Sequence, residues 1–349
     1  MLSDLNFEEM ISFVKKMGLP AFRGEQLFDA IYSGKSLEEI SNLPKALKEI
    51  IEKDYPQYKI VQKFLSKDGT QKFIVQFSDG NIVECVLMKY KYGYSVCLST
   101  QVGCRMGCKF CASGLNGLVR NLSAGEILGQ ALLINKELGG SRKDRKITNI
   151  VLMGSGEPLD NFDSVVKFIE LVSSSKGLNV SQRNISLSTC GLVPKILELA
   201  EKEFNITLTI SLHASCDEKR KEIMPVANSY SIKEILDACK TYFQKTGRKI
   251  YFEYTLIKGV NDRDEDVDSL SKLLKNLMCH VNIIPLNEVK ERNLEGTSRL
   301  FAYQFVDKLK EKGVSATVRR TMGEDIEGAC GQLRNRIIKE NQQKTTKNS

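Results

Sequence analysis

The sequence predicts an α/β protein built on a partial (β/α)6 barrel, with an N-terminal helical accessory domain and a small β extension. Three observations predict it. Short helix-like segments fill residues 1–57, the apolar period shortens to that of strands over residues 58–94, and strands then alternate with helices from about Ser95. Such alternation implies a parallel sheet, and six to seven units suggest a barrel or part of one.

In chain order, Phe7 to Met17 and Glu25 to Tyr32 carry apolar residues at helical spacing, punctuated by Gly18, Gly24 and Gly34. Asp68-Gly69 and Asp79-Gly80 then join runs such as Lys72–Phe77 and Asn81–Met88, which is a hairpin signal. Barrel strands are expected at Ser95–Ser99, Asn149–Met153, Asn184–Ser188, Ile206–Ser211, Ile250–Leu256, His280–Ile284 and Ala316–Arg319. The clearest helix start is Ser123 with Glu126 three residues on, a capping box ahead of Ile127, Leu128, Ala131 and Leu132. The barrel is assigned to residues 95–338, and the polar residues 339–349 to a disordered tail.

A chain of 349 residues with a 42% hydrophobic and 27% charged composition is that of an ordinary globular protein. No apolar run reaches the roughly 18 residues that span a bilayer. The acidic start MLSDLNFEEM lacks the basic and apolar regions of a signal peptide, so a cytoplasmic location and no membrane partner are expected. Ten cysteines in a reducing compartment argue against a disulfide framework, and three of them crowd into eight residues. The net charge of +8 favours a polyanionic partner, with basic residues at 142–146, at Arg319-Arg320, and at Arg334 and Arg336. Taken alone, each such cluster reads more readily as a solvated face than as a nucleic-acid contact.

Cys104, Cys108 and Cys111 follow the first barrel strand. A complete 4Fe–4S site takes four cysteines. With three, one iron stays open to chelate a ligand, much as catalytic zinc keeps an open position. A zinc site is the competing reading, but zinc sites usually pair two short motifs, and His213 and His280 are both distant in sequence. Met153 to Pro158, with Gly156 and Glu157, ends the second strand. Ser188 ends the third strand, Ser211-Leu212-His213 the fourth, and Asn287 follows the sixth. Carboxyl ends of strands are where barrel active sites are built. Ser188 or Asn287 alone could be a turn residue; their shared placement makes them candidates. Cys97 and Cys330 read by composition as small buried hydrophobes, although the polar, glycine-flanked surroundings of Cys330 suit an exposed reactive thiol.

The CxxxCxxC spacing with Phe110 before its last cysteine resembles the radical S-adenosylmethionine superfamily. More closely, the chain resembles the radical S-adenosylmethionine RNA methyltransferases that act on an adenine carbon in 23S rRNA. The likeness runs from Val83-Glu84 through GCRMGCKFC, GSGEP, RNISLST, SLH and IIPLN to DIEGACGQL. Ser155 departs from the methionine common there. The resemblance implies one 4Fe–4S cluster on Cys104, Cys108 and Cys111, and S-adenosylmethionine held by Gly156, Glu157, Ser188, Ser211, Leu212, His213 and Asn287. Two S-adenosylmethionine molecules are used per turnover, because an adenine C–H carbon is too poor a nucleophile to attack a sulfonium methyl. On that resemblance Cys330 would be methylated first, a 5′-deoxyadenosyl radical would then take hydrogen from that methyl group, and the carbon would add to the ring. Cys97 resolves the protein–RNA adduct through a transient disulfide, and Glu84 matches the position of the proton acceptor; read alone, Glu84 is an exposed strand carboxylate. The implied partners are 23S rRNA, tRNA at the adenosine beside the anticodon, and an electron donor such as flavodoxin or ferredoxin. Carbon 8 of the same adenine is the alternative target, since relatives that act there share these cysteines. A different radical enzyme, or a non-catalytic iron–sulfur RNA-binding protein, is a more distant reading.

Overall fold

The computed structural model describes residues 1–333; the predicted tail at 339–349, Arg334 and Arg336 lie outside them. Three helices open the chain: α1 (Phe7–Lys16), α2 (Phe22–Tyr32) and α3 (Lys45–Ile51). α1 starts at a capping box, Asn6 accepting from the Glu9 N–H at 2.8 Å and Glu9 from the Asn6 N–H at 2.7 Å. Phe28 stacks on Tyr32 and meets the edge of Phe7, and these rings belong to the same apolar cluster as the barrel interior. The helical segment is therefore packed onto the barrel rather than set apart from it.

Ten strands form one sheet. β1 (Lys59–Leu65), β2 (Gln71–Gln76), β3 (Ile82–Tyr90) and β4 (Gly93–Cys97) pair antiparallel in sequence order. β4 also pairs parallel with β7 (Ile147–Leu152), and the parallel run continues through β8 (Ile185–Thr189), β9 (Thr207–Ser211), β10 (Ile250–Leu256), β11 (Cys279–Pro285) and β12 (Ala316–Val318). β5 (Gln101–Gly103) and β6 (Leu118–Asn121) form a separate hairpin that brackets the three-cysteine loop. Helices α4 (Ala124–Glu137), α5 (Phe162–Ser173), α6 (Val193–Ala200), α7 (Asp217–Ile223), α8 (Ile232–Thr246), α9 (Asp264–Leu274) and α10 (Arg299–Glu311) make the six crossovers. Among the described residues β12 does not pair with β1, so the barrel is partial, as expected.

Every expected barrel strand is present to within a few residues, and the Ser123–Glu126 capping box starts α4. The antiparallel element differs from the expectation in one way: it is continuous with the barrel sheet through the β3–β4 pairing, with Val86 opposite Cys97. That pairing carries Glu84 and Cys97 onto neighbouring strands.

Candidate active site

The carboxyl ends of the parallel strands open on a cavity of about 150 Å³. Its wall includes Cys104, Cys108 and Cys111, together with Gly156, Glu157, Ser188, Ser211, His213, Asn287 and Cys330. Ten residues singled out from the sequence thus share one cavity. Leu212 does not: between Ser211 and His213 it turns into the core and is fully buried, as strand alternation requires.

The three thiols are free. Burial pushes Cys104 up to about 12 and raises Cys108 as well, with the neighbouring Cys111 adding to both shifts. A neighbouring positive centre is what would let them ionise together. Among the described residues, no three His, Cys, Asp or Glu side chains converge tightly enough for one metal ion. One tetrahedral ion would need its sulfurs about 4 Å apart, whereas a cluster gives each thiolate its own iron. Arg220 supports the same assignment. It is fully buried, donating to the carbonyls of Cys190 (2.5 Å), Leu212 (3.2 Å) and Ser211 (3.3 Å), while its Nη1 has no partner. Its helix docks on the cysteine loop through the Lys109 N–H to Ile223 carbonyl bond, so a fixed cation lies beside the thiols. The residues present fit an anionic iron–sulfur cluster.

The segment after β7 is shaped by contact with β4 rather than by open space for a ligand. A Cβ on Gly154 would lie 2.6 Å from the Leu98 carbonyl oxygen, and one on Gly156, at φ +108°, 2.7 Å from Gln101 Cβ. Glu157 is buried, and burial raises its pKa. Its two oxygens accept from the Leu159 N–H (3.0 Å) and the Cys190 N–H (2.7 Å), so its carboxylate braces the loop.

His213 sits at φ +55°, a left-handed conformation uncommon for a residue with a Cβ. Its Nδ1 accepts from the Thr255 N–H at 3.0 Å and its ring meets Phe110 edge-on at 4.6 Å. Burial, reinforced by Arg220, lowers its pKa to about 3, so it is a neutral imidazole with its remaining hydrogen on Nε2. That suits contact with a ligand, and excludes Nδ1 as a base. Ser188 and Ser211 bring their hydroxyls within 3.4 Å of each other on the same wall.

A second, smaller cavity of about 40 Å³ adjoins the first. Cys97 lines it, and Cys330, Asn287, Met153 and Arg319 line both. Burial, and then the Cys330 charge, push Cys97 up to about 12, with Arg319 opposing. The Cys330 loop is pinned at its tip: Asn287 Nδ2 donates to the Cys330 carbonyl (3.1 Å), the Ala112 N–H to the Gly331 carbonyl (2.7 Å) and Ser113 to the Leu333 carbonyl (2.9 Å). Its base is tied to the antiparallel strands, where Ser66 donates to Asp325 (2.5 Å), the Gly323 N–H to Asp68 (3.0 Å) and Lys72 to the Glu327 carbonyl (3.3 Å).

Glu84 lines neither cavity. It is buried in an ion pair with Lys72 at 3.2 Å, beneath the base of that loop, rather than exposed on its strand. The basic run at 142–146 is also largely engaged within the fold: Arg142 pairs with Asp29 (2.7 Å), Lys146 with Asp144 (2.7 Å), and Arg145 binds the carbonyls of Leu178 and Asn179. Of the Arg319-Arg320 pair, Arg319 turns inward to Glu253 at 3.1 Å. Glu253 lines the main cavity and accepts from Asn282 at 3.0 Å. Sequence reasoning missed both, although a lone carboxylate inside the apolar strand IYFEYTL was a visible signal.

Residues 98–270 match the radical SAM superfamily. The probable dual-specificity RNA methyltransferase RlmN of Clostridium perfringens is 56% identical over 341 residues, which are 96% of this chain and 97% of that protein. The protein of the same name from Clostridium botulinum strain Eklund 17B is 52% identical, with 96% of each chain covered. The crystal structure of a radical SAM methyltransferase from Sphaerobacter thermophilus superposes with a TM-score of 0.91 at 38% identity, covering 96% of this chain and 99% of the other.

Proposed function

The chain belongs to the RlmN-type dual-specificity RNA methyltransferases of the radical SAM superfamily, and from that premise we propose that it methylates carbon 2 of an adenine in 23S rRNA and of the adenosine beside the anticodon in some tRNAs. One observation carries this reading. Cys330 belongs to both cavities, so a single thiol faces the three cluster cysteines on one side and Cys97 on the other.

Cys104, Cys108 and Cys111 would hold the cluster, with Arg220 as a buried counter-charge. Bound there, the cluster supplies the electron that cleaves S-adenosylmethionine to a 5′-deoxyadenosyl radical. Ser188, Ser211 and the neutral His213 offer hydroxyl and imidazole contacts to that cofactor, while Glu157 and the two glycines hold the loop beside it. Cys330 Sγ accepts a methyl group from one S-adenosylmethionine, presents it for hydrogen abstraction, and carries the carbon onto the ring. The radical adduct then loses the ring proton and one electron, which the redox partner would accept. Cys97 Sγ, as a thiolate, attacks Cys330 Sγ; the S–C bond breaks with its electron pair on the carbon, which takes a proton to become the methyl group, and a Cys97–Cys330 disulfide remains. Glu84 is assigned the ring proton by its position in the family alone; here it is buried in the ion pair with Lys72 and lines neither cavity. A flavodoxin or ferredoxin would deliver electrons. The target base must be flipped out of its stack, because the thiol lies inside the barrel mouth.

The test is anaerobic reconstitution with reductant, S-adenosylmethionine and an unmodified 23S rRNA fragment, followed by mass spectrometry of the nucleosides. 2-Methyladenosine is expected. 8-Methyladenosine would overturn the regiochemistry, and cofactor cleavage with no methylated base would overturn the RNA substrate.

A further inference from the structure

The end of β3 and the turn into β4 read Lys89-Tyr90-Lys91-Tyr92. Tyr90 and Tyr92 stack with ring centroids 5.0 Å apart and planes 6° from parallel. Tyr90 is half-buried and walls the smaller cavity with Cys97, Cys330 and Arg320, whereas Tyr92 is 63% exposed. Lys89, Lys91 and Arg320 are exposed beside them. A two-ring stack thus starts at the cavity shared by the two reactive thiols and ends in solvent, with cations around it.

We propose that Tyr90 and Tyr92 form a stacking platform for a nucleobase of the RNA substrate, next to the base that enters the Cys330 cavity. This rests on the methyltransferase reading above and names its RNA-contacting surface. Extruding a base unstacks its neighbour as well as itself. An exposed aromatic face restores that stacking for any base, since every base has a π-face. The flanking lysines meet phosphates, which hold register without reading sequence. A half-buried tyrosine backing an exposed one fixes the outer ring before RNA arrives, so little side-chain freedom is lost on binding.

The experiment is a fluorescence-anisotropy titration of an end-labelled, unmodified 23S rRNA fragment at several salt concentrations. Tyr92→Ala is expected to bind roughly 5- to 140-fold more weakly with an unchanged salt slope. Tyr92→Phe, which keeps the ring, is expected to bind like wild type, and Lys91→Gln to lower the salt slope by about 1. Wild-type protein that binds and methylates the fragment while Tyr92→Ala binds equally well overturns the platform alone. Wild-type protein that neither binds nor methylates it overturns the reading beneath.

Discussion

Asn261→Ala should loosen the cofactor wall from behind. Asn261 is fully buried and makes three hydrogen bonds: Nδ2 donates to the carbonyls of His213 and Thr255, both at 2.7 Å, and Oδ1 accepts from the Ile257 N–H at 2.8 Å. His213 holds a left-handed conformation that costs about 1–2 kcal/mol for a residue with a Cβ. Such strain persists only where the surroundings over-determine it. Here the Asn261 amide on its carbonyl and the Thr255 N–H on its ring do so. At about 1 kcal/mol net per bond, plus the cost of polar groups left dry, the substitution should remove about 3–5 kcal/mol. That is a large part of the roughly 5–15 kcal/mol by which a domain is stable. Urea unfolding followed by circular dichroism should show a lower midpoint at constant slope, and S-adenosylmethionine should bind more weakly as His213 relaxes. Asn261→Asp, which keeps the acceptor and loses both donors, should be at least as damaging. A loss under about 1 kcal/mol with unchanged cofactor affinity would refute the reasoning.

Cys97→Ala should trap a covalent enzyme–RNA adduct visible on a denaturing gel, whereas Cys330→Ala should give neither adduct nor methylated cysteine; normal turnover by the first variant would sink the resolving role. Gly154→Ala places a methyl 2.6 Å from a backbone carbonyl that cannot yield, so about 1–3 kcal/mol of stability and much of the cofactor affinity should go; calorimetry with the cofactor reads this, and wild-type binding would contradict it. His213, held to about 3, refuses a proton that the unfolded chain takes up near 6.5. Its contribution to stability is therefore complete above pH 6.5 and falls by about 1.4 kcal/mol per unit below it, until about pH 3. His280 is also shifted down, so the slope between pH 6.5 and 5 should be compared with that of His213→Gln. An identical slope in the two proteins would show that His213 is not the source.

The sequence revealed most where chemistry and local pattern coincide. A cysteine triad after a strand, hydroxyls at the ends of two others and a capping box before α4 are local signals, and all stand where local rules put them. Within the Ser-Leu-His triplet, alternation along β9 and its extension puts Ser211 and His213 on the cavity wall and the Leu212 side chain in the core. Glycines 154 and 156 make room for Leu98 and Gln101, neighbours that only the tertiary fold brings there. Pairings between distant residues were out of reach. The engagement of Arg142 by Asp29 and of Glu84 by Lys72 depends on register and tertiary placement that no single segment encodes. Arg220, within the charged run DEKRKEI, resembles any solvated helix residue until the fold buries it.

The ties at the base of the Cys330 loop have a bearing on the order in which this protein is put together. Ser66, Asp68 and Lys72 emerge early in synthesis, yet their partners at residues 323–327 lie 255 to 259 positions downstream. Contacts that distant form last, because the intervening chain must be made and packed before they repay its closure. All three cluster cysteines and both serines of the cofactor wall precede that moment. The growing chain thus completes its three-cysteine loop while Cys330 is still unmade, and a ribosome that stops short of residue 330 leaves behind a protein with the proposed cluster site and without the proposed acceptor.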